Sequence, residues 1–141
     1  DRRMLEPDQL QQRTSRLRQL CWQVAGVERR GPDLRQALRR LHPERQELES
    51  LPVWHQLQGL PPGERLQIGP GLRPQVLALH ELRQRLVLAE LLVSAASFRQ
   101  ESRGGHFRTD APSPQPFWAC ETLQQREHPV RSRPLRKGAA G

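Results

Sequence analysis

Tyrosine is missing from this chain and phenylalanine occurs only three times. A stacking platform for single-stranded bases is therefore poorly supplied. Cysteine occurs twice, as Cys21 in a helical pattern and Cys120 in a proline-rich stretch. Two such thiols build neither a disulfide framework nor a spaced zinc site, and a reduced, cytoplasmic setting is the expectation that follows. No run resembles a secretory segment or a membrane span. The longest apolar stretch, Leu86 to Phe98, is broken by Glu90, Ser94 and Ser97 and reads as a buried helix. The chain opens on Asp1 rather than Met, a start expected of an excised or processed segment.

Catalytic signatures are equally scarce. No G-x-G-x-x-G follows a strand pattern and no Walker loop occurs, so dinucleotides and phosphates have no recognisable cradle. Gly69-Pro70-Gly71 is a turn, because proline lacks the amide donor that a phosphate needs. His42, His55, His80, His106 and His128 are isolated from one another and lack metal-ligand spacing. Ser102 lies near His106, but no nucleophile elbow or orienting acid accompanies it. The sequence thus assigns no catalytic, cofactor-binding or metal-ligating residue to this chain.

What the chain has in quantity is arginine. Lys137 is the sole lysine among 23 basic residues, and the net charge is +8. A balance this basic raises nucleic acid as a partner. The arginines, however, are spread along the chain among glutamates and glutamines, the pattern of a solvated face. No nucleic-acid partner is expected.

Hydrophobic periodicity organises the chain of 141 residues, enough for one ordinary core. Leu10, Leu17, Leu20, Cys21, Val24 and Val27 fall on one stripe of a helix expected from about Asp8 to Arg30. Gly31-Pro32-Asp33 ends it and starts another, with Leu34, Ala37, Leu38 and Leu41 at the same spacing. Pro43 should kink or split this second helix, which resumes weakly at Leu48 and Leu51. Residues 52–71 read as a loop with two proline–glycine breakers. The third helix should run from Pro74 to about Ser102. Its second half is apolar nearly all round, so it needs cover from more than two amphipathic helices. These elements predict an all-α fold: a three-helix up-down-up bundle over residues 1–105, then an extended Pro/Arg-rich arm over 106–141. A turn is expected near Trp118 to Gln125, and a disordered basic end from Arg131 to Gly141.

Two polar features remain. Glu90 sits inside the most apolar helix, where a carboxylate must be paired. It is either a binding acid or the partner of an arginine on a neighbouring helix, and the ion pair is the favoured reading. The densest cluster is Glu101-Ser-Arg-Gly-Gly-His-Phe-Arg-Thr-Asp110. Its glycines allow a sharp turn, and Arg103 and Arg108 offer planar donor forks. A docking hook, a ligand-binding loop and a plain solvated turn all fit that composition.

Ala89-Glu90, followed eleven residues later by Glu101-Ser-Arg-Gly-Gly-His-Phe-Arg-Thr-Asp-Ala-Pro112, resembles the C-terminal signature of the succinate dehydrogenase, fumarate reductase and L-aspartate oxidase flavoproteins. Leu17-x-x-Leu20-Cys-Trp22-x-x-x-Gly26-Val-x-Arg29 and Leu34-x-x-Ala37-Leu38 resemble the opening helices of the same domain. Trp22 and the short arginine-rich end favour the L-aspartate oxidase branch. Trp118-x-x-Glu121-Thr122 is similar to a Trp-x-x-His-Thr stretch in that family, with Glu121 departing from it.

The resemblance implies an FAD enzyme that oxidises L-aspartate to iminoaspartate for NAD synthesis, reoxidised by oxygen or fumarate. It places the flavin-binding motif, the substrate-binding histidines and the catalytic arginine upstream, on no residue here. What it leaves to this chain is docking on the upstream flavin and capping domains, through Glu90, Glu101, Arg103, His106, Arg108 and Asp110. The alternatives are the same domain of a succinate dehydrogenase or fumarate reductase flavoprotein, and a basic helical module binding nucleic acid or protein.

Overall fold

A computed structural model describes residues 4–135. Helix α1 spans Pro7–Ala25. Its first turn is set by Pro7 and Asp8, and the Gln9 side chain accepts the Glu6 amide at 2.9 Å. The helix stops at Ala25, short of the expected Arg30, because Gly26 turns the chain extended. A Cβ on Gly26 would lie 2.6 Å from the Trp22 carbonyl oxygen, so no larger residue fits this exit. Val27 consequently leaves the helical stripe and stands 83% exposed.

Helix α2 covers Gly31–Glu49 and passes through Pro43 without splitting. Pro43 and Arg39, whose carbonyl loses its donor, both face solvent, and water can replace the missing bond. Leu34, Ala37 and Leu41 before the proline and Leu48 after it lie on one buried stripe that holds both halves to the core.

Residues 52–58, expected as loop, form a short helix, α3 (Pro52–Gln58). Pro52 opens it, and Val53 and Trp54 are buried. Trp54 stacks on His80, ring centroids 6.0 Å apart, with the Arg83 guanidinium 5.0 Å from its ring. Burial of this one ring explains why seven residues hold a helix that could not persist alone.

Helix α4, Arg73–Phe98, is the central element and packs on both α1 and α2. Val76, Leu79, Leu82, Leu86, Ala89, Val93 and Ala96 form its covered stripe. Each fully buried leucine there contributes about 2 kcal/mol of transfer free energy. Its other faces remain open, with Leu77, Leu88, Leu91 and Leu92 all exposed. The helix ends at Phe98 rather than Ser102 because the polar cluster that follows takes over its last carbonyls.

The arm is not wholly irregular. A 3₁₀ turn over Pro116–Trp118 leads into β1 (Cys120–Leu123), which pairs antiparallel with β2 (Arg131–Pro134). Cys120 lies opposite Pro134 and Leu123 opposite Arg131, while Glu121 and Arg133 form a cross-strand ion pair. The fold is therefore mostly helical rather than all-α, and residues 131–134 are a strand rather than part of a disordered end. The remainder of that expected disordered end, 136–141, lies outside the described residues. No helix among the described residues is long and apolar enough to cross a membrane.

Candidate functional site

The Glu101–Asp110 cluster folds into a tight turn that ties three parts of the chain together. Gly104 takes φ +58°, a conformation that glycine adopts at little cost. The Arg103 amide donates to the His106 carbonyl at 2.8 Å and the His106 amide returns the bond at 3.0 Å. The turn is then stitched to the linker between α1 and α2. The Arg29 amide donates to the Phe107 carbonyl at 3.0 Å, and the Thr109 amide to the Arg29 carbonyl at 2.9 Å.

Arg108 is the centre of this tie and is only 3% exposed. Its Nη1 donates to the Ser97 carbonyl at 2.9 Å and the Arg99 carbonyl at 3.2 Å, satisfying acceptors that the end of α4 leaves orphaned. A buried cation at this place also complements the negative end of the helix dipole. Its Nε and Nη2 form a two-pronged pair with Asp110, at 3.0 and 2.7 Å. Asp110 Oδ2 in turn lies against Gly31 at the start of α2, 2.6 Å from where a Cβ would stand, so one ion pair closes one helix and packs against the start of the next. The Arg108 hydrogen bonds hold the Asp110 carboxyl at about 2, below its ordinary range.

Glu101 is fully buried and fully engaged. It accepts Arg99 Nη1 at 2.6 Å, Arg103 Nε at 2.9 Å and the Gln115 amide at 2.8 Å. These donors, Arg103 foremost, bring its carboxyl down to about 2 against the opposing effect of burial. Arg99 extends the network by donating to the carbonyls of Trp118 and Cys120, and Phe98 meets the Trp118 ring edge-on at 5.2 Å. The arm is thereby fastened to the end of α4. Ser102 donates to the Ala111 carbonyl at 2.7 Å and accepts the Arg108 amide at 2.9 Å, so its hydroxyl is a turn brace.

His106 lies among three arginines. Arg29 can only donate, so the 2.9 Å contact makes His106 Nδ1 the acceptor and leaves Nε2–H to donate to the Arg99 carbonyl at 3.1 Å. Burial pushes the imidazole below its usual value, and the Arg29, Arg108 and Arg99 guanidiniums add to that.

Glu90 stands apart from this turn, on the seam between α2 and α4. It accepts Arg45 Nε at 2.8 Å, with His42 3.6 Å from its other oxygen. Arg45 also holds Glu49, which pairs with Arg83. Glu90 is thus the interhelical ion pair that its apolar context favoured.

Five of the six candidate docking residues therefore converge on one turn, and Glu90 does not join them. Gly31 is the member that sequence reasoning missed. A Cβ there would lie 2.2 Å from Arg108 Nη2 and 2.6 Å from Asp110 Oδ2, a tertiary approach with no local signal beyond the glycine itself. The Arg108 fork and Arg103 Nε and Nη2 are spent on Asp110, Glu101 and backbone carbonyls of the chain itself, so these residues do not form a flavin cradle. Among the described residues, no group of three His, Cys, Asp or Glu side chains is placed to hold a metal ion.

Residues 69–136, which carry α4, the turn and the arm, match the fumarate reductase flavoprotein C-terminal family. The L-aspartate oxidase of Synechocystis sp. is 34% identical over 110 residues, covering 77% of this chain and 20% of that protein. The chain belongs to this flavoprotein family as a C-terminal domain. The L-aspartate oxidase of Nostoc sp. is 36% identical over 112 residues, 79% of the chain and 19% of its own length. A fumarate reductase (CoM/CoB) protein of Methanothermobacter marburgensis is 37% identical over a shorter stretch of 57 residues, 40% of the chain and 10% of that protein. The chain thus spans about a fifth of the length of the L-aspartate oxidases it matches. No solved structure matches it significantly.

Proposed function

We propose that this chain is the closing helical domain of an FAD-dependent L-aspartate oxidase. The parent enzyme converts L-aspartate to iminoaspartate for NAD synthesis, and this domain supports the flavin-bearing part without supplying a reacting group. The observation that carries the reading is the similarity to two L-aspartate oxidases over more than three quarters of the chain. In this reading α1, α2 and α4 form an up-down-up bundle within residues 1–105, with residues 106–141 as an arm, in a cytoplasmic enzyme. Glu101, Arg103, His106, Arg108 and Asp110 give the domain the shape that meets the upstream flavin and capping domains, and Glu90 holds α2 to α4 behind them. Nucleic acid is not a partner, a view supported by the arginines already paired with carboxylates: Arg13 with Glu47, Arg45 with Glu90, Arg83 with Glu49 and Arg108 with Asp110.

The test is the substrate preference of the parent polypeptide. Bound flavin absorbance, with hydrogen peroxide release on L-aspartate and no oxidation of succinate, is the expected result. A flavoprotein that oxidises succinate instead belongs to the succinate dehydrogenase and fumarate reductase branch, which the shorter match to the Methanothermobacter protein represents. A parent without flavin overturns the reading.

A further inference from the structure

An open furrow runs between α1 and α4. Cys21, Trp22 and Ala25 form one wall, and Leu88 and Leu92 form the other. Trp22 is 80% exposed, Leu88 64% and Leu92 48%, an apolar patch built from two rigid helices. A contiguous patch that includes a tryptophan is an interface signal, because such rings anchor contacts through their large apolar area. The turn at Glu101–Asp110 exposes a single large apolar side chain, Phe107 at 39%, and so offers a smaller apolar patch than the furrow.

The rim of the furrow is cationic. Arg18 borders both of its lobes. Arg85 borders one lobe and, among the described residues, pairs with Glu81 alone, at 3.5 Å on an exposed surface. A second copy of the chain would set these arginines against their own kind, in a molecule of net charge +8. The partner that fits is an apolar side chain flanked by carboxylates. About four fifths of the length of the matching L-aspartate oxidases lies outside the region similar to this chain, and the matching family is a C-terminal one.

We propose that the α1–α4 furrow is the seat for an apolar, acid-flanked segment of the polypeptide N-terminal to this domain. The proposal rests on the reading of the chain as the closing domain of a longer flavoprotein. Trp22 and Leu92 supply the apolar anchor, Arg18 and Arg85 select the acidic flanks, and the Glu101–Asp110 turn holds α1 and α4 in the geometry that forms the furrow.

Covalent footprinting of the parent enzyme tests it, with the chain's other tryptophans as internal standards. Trp22 labelling should fall to the level of Trp54, which is 6% exposed within the domain itself. Labelling of Trp22 faster than that of half-buried Trp118 overturns the proposal. A Leu92→Arg parent should regain Trp22 labelling, because the new cation disrupts the apolar anchor while the side chain still faces solvent. If Trp22 stays protected in that variant, the furrow is not the seat. Protection that disappears on dilution at constant flavin content points to a second copy and overturns the intramolecular occupant. Flavin content of the same samples separates the two readings. A flavin-loaded enzyme with fully labelled Trp22 sinks the furrow alone, whereas protected Trp22 in a flavin-free parent sinks the oxidase reading and leaves the furrow standing.

Discussion

Arg108 lies so close to Gly31 that a Cβ on the glycine would stand 2.2 Å from the guanidinium Nη2. Seventy-seven residues separate the two in sequence. Their contact lets one cation cap the end of α4 while its carboxylate partner, Asp110, packs against the first residue of α2.

Gly31→Ala should therefore destabilise the domain by about 2 kcal/mol through overpacking, although alanine is the better helix former at an unconstrained position. Urea denaturation of the wild-type and variant chains measures the difference. An unchanged midpoint would mean that Arg108 moves aside freely and that the tie is loose.

Arg108→Ala should lose more, about 3 kcal/mol, because it strands the Ser97 carbonyl, leaves the Arg99 carbonyl to His106 alone and removes the partner of Asp110. Arg108→Lys should recover only part of this, since an ammonium lacks the planar fork that serves a helix end and a carboxylate together. Equal stability of the lysine variant and wild type would contradict the geometry.

Acid should weaken the fold in two stages. His106, Asp110 and Glu101 all have folded values below their ordinary ones, so the unfolded chain binds the extra proton in each case. Each contribution is complete above the ordinary value and is lost as pH falls toward the folded one. The first loss, from His106, begins as pH drops through 6.5. The second, from Glu101 and Asp110, begins near their ordinary 4.5 and 3.8 and continues toward 2. Stability measured against pH in His106→Gln should lack the upper stage and keep the lower one. Persistence of the upper stage would assign it to another group.

Much of this was legible in the sequence, and the omissions have physical reasons. Leu34, Ala37 and Leu41 announced α2, and the breaker Gly31-Pro32-Asp33 announced its start, because both signals are local. Pairing of Glu90 with an arginine from a neighbouring helix followed from its apolar surroundings, although spacing did not identify Arg45 among so many arginines. The helix α3 was hidden because seven residues give too little periodicity and Pro52 reads as a breaker. Val27 fits the stripe of α1 by spacing, and only the extended backbone at Gly26 removes it. Strand β2, Arg-Ser-Arg-Pro, has no apolar alternation at all; its order comes from pairing with β1 and from the Glu121–Arg133 contact. The signature turn was visible as a string, but its attachment to Arg29 and Gly31 is tertiary.

Pro43→Ala should stabilise the domain by about 1 kcal/mol, restoring one helical donor at a solvent-facing position. Thermal unfolding gives the readout. A loss of stability would show that the proline shapes α2 in a way the buried stripe requires.

The central claim is that this domain supports an oxidase without taking part in its chemistry, and the most direct test is turnover per bound flavin in an Arg108→Ala parent enzyme. The thermal midpoint and flavin content should fall, while kcat with saturating L-aspartate, divided by bound flavin, stays within about twofold of wild type. A variant that folds and retains flavin normally, yet loses kcat by orders of magnitude, would contradict the claim and place a reacting or substrate-contacting group in the Glu101–Asp110 turn.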